Sequence, residues 1–166
     1  MHAGKILVAE HDGAYVLKLM GDVRCTLCTT VDEYIDKMFA SLNFASVLVD
    51  LTETQGLDST TLGMLAKLAI MAKQRYNFKP TMISTNSNVD RLLDTMGLGC
   101  VYNIRHEMIN AANQLAELPM VESPESLVRD KVIEAHRVLM GMNDKNKAEF
   151  KELVQVLEAT RGRPCG

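Results

Sequence analysis

Four consecutive residues, Asp58, Ser59, Thr60 and Thr61, put a carboxylate and three hydroxyls where a polar bend gives way to an apolar segment. Aspartate suits the position just before a helix, because its carboxylate accepts from first-turn N–H groups that have no partner within the helix. With Asp58 as cap, Ser59, Thr60 and Thr61 become the first turn. Free N–H groups and the positive end of the helix dipole make that turn tolerant of a phosphate. A phosphate on Ser59 adds about −1.5 to −2 charges beside Asp58, enough to spoil a docking surface without unfolding the chain. A plain cap with no further role fits the same residues.

Other residues with chemical potential are dispersed. Cys25 and Cys28 have the C-x-x-C spacing of a redox or metal pair, but no second pair and no histidine pair at ligand spacing accompanies them. Cys100 reads as a core residue and Cys165 as a tail residue. His2, His11, His106 and His136 are scattered, and no phosphate-binding loop, G-x-G-x-x-G or G-x-S-x-G motif occurs. The expectation is a protein that is not an enzyme and needs neither metal nor cofactor.

Composition narrows the class. The 166 residues are enough for one domain with an appendage, and 47% hydrophobic content is that of a folded chain. A net charge of −3 gives no general affinity for nucleic acid or anionic membrane. No apolar run reaches the ~18–20 residues of a membrane span and the first residues lack a signal-peptide core, so a cytoplasmic location with free thiols is expected.

Strand and helix signals alternate through the first two thirds. Residues 4–10 and 14–20 flank "HDG" as a hairpin. Residues 29–42 place Val31, Tyr34, Ile35, Met38 and Leu42 at helical spacing. The run 46–51 (SVLVDL) reads as a buried central strand, followed by a helix over 59–77 that Pro80 ends. A strand at 81–85, a helix at 88–97 closed by Gly97 and a strand at 100–104 complete an α/β sheet.

From about residue 106 the pattern is amphipathic helix alone. The stretch 106–118 carries Met108, Ile109, Ala112, Leu115 and Ala116. A second helix opens with Ser123 as cap and Pro124 at its first position, with the stripe Val128, Val132, Ala135, Leu139 and Met142. A third opens near Asn143–Asp144 and carries Phe150, Leu153, Val154 and Leu157. The last two read as a helical hairpin packed on the domain, as a partner-binding surface to which Met140 and Met142 lend adaptability, or as both.

The element order, with "VLVDLTETQGLDSTTLGMLAKLA" at its centre, resembles the STAS domain of anti-sigma factor antagonists. Asp50–Leu51 stands at the family's strand end, and Asp58-Ser59-Thr60-Thr61-Leu62-Gly63 occupies its D-S-[ST]-G-L-G-type motif. "LKLMGDVR" looks like the second strand with its L-x-G-[DE] ending, and "ISTNSNVDRLLDTMGL" like the fourth strand and third helix. Two positions depart from the pattern: Thr61 replaces a motif glycine, and Arg24 stands where many members carry an acid. The sequence looks close to the gammaproteobacterial type linked to secretion, motility and biofilm control.

The resemblance implies a STAS-like mixed sheet of about five strands packed with helices over 1–105; the C-terminal helical extension over 106–166, expected to pack on the domain, lies outside the family's minimal domain. It implies partner switching: the unphosphorylated protein binds an anti-sigma factor and frees the sigma factor. A serine kinase, often the anti-sigma factor itself, phosphorylates Ser59 (alternates Thr60 and Thr61) and breaks the complex; a PP2C-type phosphatase restores it. The docking face it implies comprises Asp22, Arg24, Asp58, Ser59, Thr60, Thr61, Leu62 and Met64. Two other readings are a STAS subunit of a transport or stress-signalling assembly that is not phosphorylated, and a thiol oxidoreductase built on Cys25 and Cys28.

Overall fold

A computed structural model of the chain describes residues 3–108 and 114–160. The chain begins with strands β1 (Lys5–His11) and β2 (Ala14–Val23), antiparallel from Lys5 opposite Met20 to His11 opposite Ala14. Asp12 and Gly13 turn between them with φ of 49° and 83°, the paired left-handed residues that match a hairpin's twist. A Cβ at Gly13 would lie 1.8 Å from the Asn43 carbonyl oxygen, so the turn also needs glycine for space.

Helix α1 (Cys28–Ala40) follows a single 3-10 turn at Cys25–Leu27. Val31, Ile35 and Met38 are buried along it, but the helix stops at Ala40 and Leu42 is 106% exposed, not part of the apolar stripe its spacing suggested. Strand β3 (Ser46–Asp50) lies parallel to β2 on one side and to β5 (Thr81–Ile83) on the other, so it is central as expected. The edge beyond β5 is β6 (Asn103–Arg105); residues 98–100 form a 3-10 turn, which shifts this strand later than the expected 100–104 and leaves Cys100 exposed.

Two strands had no counterpart in the sequence pattern. β4 (Thr54–Leu57) pairs parallel with the end of β2 from Gly21 to Val23, beyond the last β2–β3 pair at Lys18, with a register shift between Gly21 and Asp22. The buried Thr54 hydroxyl locks this junction by donating to the Leu19 carbonyl at 2.7 Å. β7 (Ala116–Glu117) adds antiparallel to β1, giving the order β6-β5-β3-β2-β1-β7. Residues 114–117 are therefore not helical; Ile109 and Ala112 lie outside the described residues.

Helix α2 (Ser59–Tyr76) ends on Asn77 in the left-handed conformation, with its N–H on the Ala72 and Lys73 carbonyls. Helix α3 (Ser87–Met96) is capped by Asn86 and closed by Gly97 at φ 78°. Helices α4 (Glu125–Met140) and α5 (Asp144–Thr160) form a hairpin in which α4 lies mainly on α2 and also touches α1. Pro124, not Ser123, precedes α4, and the Ser123 hydroxyl instead meets the Thr29 hydroxyl at 3.0 Å. Asn143 caps α5 by accepting from the Asn146 N–H. Ala135, Leu139 and Phe150 join the main core, whereas Leu153 is 41% exposed.

Candidate functional site at the start of α2

The local sequence places the hydroxyl cluster through β4. Because β4 runs beside the end of β2, the Asp58 N–H reaches the Val23 carbonyl at 3.3 Å, and α2 begins directly beneath the β2–α1 connection. Asp58 then divides its carboxylate. Oδ1 accepts from the Thr61 N–H and the Thr61 hydroxyl, each at 2.8 Å, and Oδ2 accepts from the Cys25 N–H at 2.6 Å. The cap of α2 and the entry to α1 thus share one side chain.

The three hydroxyls have separate fates. Thr61 is 2% exposed, and its Oγ1 also contacts the Val23 carbonyl, so it belongs to the structure of the turn. Thr60 is 4% exposed. Ser59 alone is half-buried, and its Oγ lies 2.8 Å from Nε2 of His136 on α4. The other imidazole nitrogen, Nδ1, is 2.7 Å from the Val132 carbonyl, which can only accept. Nδ1 therefore carries a proton, and in the neutral imidazole Nε2 accepts from the Ser59 hydroxyl. Phe150 of α5 meets the His136 ring edge-on at 4.8 Å between centroids and fixes its plane.

His136 is the residue that sequence reasoning missed. The only signal was its place on α4, one turn after Val132 and one residue after Ala135, on the stripe that faces the domain. Of the other docking residues, Asp22 and Arg24 form an ion pair at 2.9 Å beside the cluster, with Arg24 exposed. Leu62 and Met64 are buried, so a partner meets neither side chain in this conformation.

An ion cluster ties α4 down farther along α2. Asp32 of α1 is 1% exposed and accepts from Lys67 of α2 at 2.7 Å and from Lys131 of α4, while Lys67 also donates to Glu134 of α4 at 2.7 Å. Burial alone would raise the Asp32 carboxyl, but the hydrogen bonds from Lys131 and Lys67 outweigh it and hold it below the usual carboxylate range. Burial likewise works against the ammonium form of both lysines, and their carboxylate partners reverse the effect and raise them.

The cysteine pair lacks the setting of a reactive thiol. Burial pushes both thiols up, and the Asp58 carboxylate pushes Cys25 further in that direction. A redox cysteine needs the opposite, a stabilised thiolate. Among the described residues, no group of three His, Cys, Asp or Glu could hold a metal ion, and no helix is long and apolar enough to cross a membrane.

Comparison with known proteins places this arrangement. The crystal structure of an anti-sigma factor antagonist from Mycobacterium paratuberculosis superposes with a TM-score of 0.53 at 20% identity, covering 61% of this chain and 85% of that one. The shared element is the fold; α4 and α5 lie beyond the region matched by the family profile. No curated protein matches the sequence. The profile described as the STAS domain matches residues 5–112, more than half of the chain and the whole of the region that carries Asp58 and Ser59; this chain belongs to the STAS domain family.

Proposed function

We propose that the chain is an anti-sigma factor antagonist that works by partner switching, with Ser59 as the phosphoacceptor and an anti-sigma factor as the partner. The observation that carries this reading is the sorting of the hydroxyls: Thr60 and Thr61 are buried, and Ser59 is the one left half-buried at the helix start. Its likeness in fold to an antagonist of an anti-sigma factor supplies the partner class. The docking face at the start of α2 comprises Asp22, Arg24, Asp58 and Ser59, of which Ser59 is held by His136 in this conformation. Phosphorylation by a serine kinase sets a doubly charged group on that face, and burying such a group against a protein surface is costly. A PP2C-type phosphatase reverses the step. ATP belongs to the kinase, so this chain acts as a binding module in transcription regulation, with secretion, motility or biofilm control as its output.

The test is a pull-down from lysate with the wild type against Ser59→Asp. An anti-sigma factor retained by the wild type and lost by Ser59→Asp supports the reading; equal capture by both overturns it. A STAS subunit of a transport or stress-signalling assembly would retain its partner in both. The raised thiols speak against an oxidoreductase, which Cys28→Ser would disable without affecting capture.

A further inference from the structure

We propose that the α4–α5 hairpin is an intramolecular occupant of the Ser59 face, and that a protein partner gains this face only when the hairpin lets go. Its biological meaning rests on reading Ser59 as the switch residue, but the closure can be tested without that reading.

Ser59, Gly63 and Lys67 are spaced by four, so they form one stripe along α2. All three are taken by α4. Ser59 donates to His136, Lys67 pairs with Glu134, and a Cβ on Gly63 would stand 2.4 Å from the Ala135 carbonyl oxygen. A partner that covers Ser59 and continues along α2 needs the surface that α4 now holds. Gly63 also shows how closely the two backbones meet. A glycine inside a helix costs about 0.5–1 kcal/mol relative to alanine, and here it buys room for the α4 main chain.

The contact mixes core packing by Ala135, Leu139 and Phe150 with polar pairs that water can replace. Beside the apolar Ala135 and Leu139 it contains His136, Glu134 and Lys131 on α4 facing Ser59, Lys67 and Asp32 on the domain. Interfaces between parts that move relative to one another are more polar than permanent ones, and ionic groups regain water when they separate.

The experiment uses the full chain and two readouts. The first is native-state hydrogen exchange of the wild type, read by mass spectrometry. The closure predicts that α4 and α5 amides exchange through an opening that leaves β1–β3 protected. The second is the rate of iodoacetamide labelling at position 59 in Ser59→Cys, resolved from the native cysteines by peptide mapping, with and without Gly63→Ala. Alanine favours the α2 helix itself but collides with α4, so labelling should rise by about tenfold or more. Exchange of α4 only together with β3, or equal labelling with and without Gly63→Ala, overturns the proposal. Neither readout involves a kinase or a captured partner. A failure here leaves the phosphorylation reading intact, and a failed pull-down leaves the closure intact.

Discussion

The Asp58 carboxylate accepts the backbone N–H of Cys25 at 2.6 Å across 33 positions of sequence. Because the same side chain caps α2, removing it frees two N–H groups on two elements at once. Loss of an aspartate cap costs about 1 kcal/mol, and loss of a charged acceptor for a second N–H about as much or more. Asp58→Ala is therefore expected to destabilise by about 2–3 kcal/mol in urea unfolding. A loss under about 0.5 kcal/mol would show that the tie to Cys25 contributes nothing.

That tie also marks the border of what the sequence disclosed. The central strand and α2 were legible because Val47, Leu48 and Val49 form an apolar run and because Leu62, Leu65, Ala66 and Ala69 recur at helical spacing. β4 was not, since "TQGL" has neither an apolar run nor clear alternation; its strand state comes from the end of β2 leaving β3. β7 is two residues long and exists only by pairing with β1. The hydroxyl cluster and its cap could be named from residue types. Their sorting into one half-buried and two buried hydroxyls could not, because α4 and the Val23 carbonyl decide it from far along the chain.

The Asp32 cluster gives a pH dependence with a definite sign. Asp32 is lowered in the folded protein, so its contribution is complete above the ordinary carboxylate value of about 3.9 and is lost as pH falls through the lower folded value. Lys67 and Lys131 are raised, so theirs is complete below about 10.4 and is lost as pH rises through the folded values. Stability from this cluster should be flat between about pH 4 and 10 and fall on both sides. Asp32→Asn is expected to lower the plateau and weaken both limbs, as read from urea midpoints across pH. Unchanged limbs in Asp32→Asn would assign the pH dependence to other groups.

The hairpin's hold on the domain is concentrated in few side chains. Leu139 is fully buried in the main core and Leu153 is 41% exposed, although both sit on apolar stripes of the sequence. Leu139→Ala should cost about 2–4 kcal/mol, or roughly 4–16 °C in melting temperature for a chain of this size. Leu153→Ala should stay within about 0.5 kcal/mol of wild type. Truncation near Glu122 removes Ala135, Leu139 and Phe150 together and should lower the melting temperature further. A truncated chain that melts like the wild type would make the hairpin an independent arm.

The last expectation concerns how Ser59 divides stability from binding. Ser59→Ala deletes the hydroxyl that donates to His136, while the imidazole keeps its bond from Nδ1 to the Val132 carbonyl. The loss is that of one half-buried hydrogen bond, about 1 kcal/mol, or a few degrees in melting temperature. Ser59→Asp replaces the donor by a carboxylate at a helix start, where first-turn N–H groups and the dipole favour negative charge but Asp58 already supplies one. The His136 Nε2 also loses its donor and faces a carboxylate that can only accept, so this variant should melt a few degrees below wild type, at or below Ser59→Ala. Binding should separate the pair sharply: Ser59→Ala cannot be phosphorylated and should hold its partner constitutively, and Ser59→Asp should hold it weakly. Phosphopeptide mapping after incubation with the kinase recovered in the pull-down should place the label on Ser59, not on the buried Thr60 or Thr61. A label elsewhere, or Ser59→Asp binding as tightly as Ser59→Ala, would remove Ser59 from the switch and leave it as a cap residue held by His136.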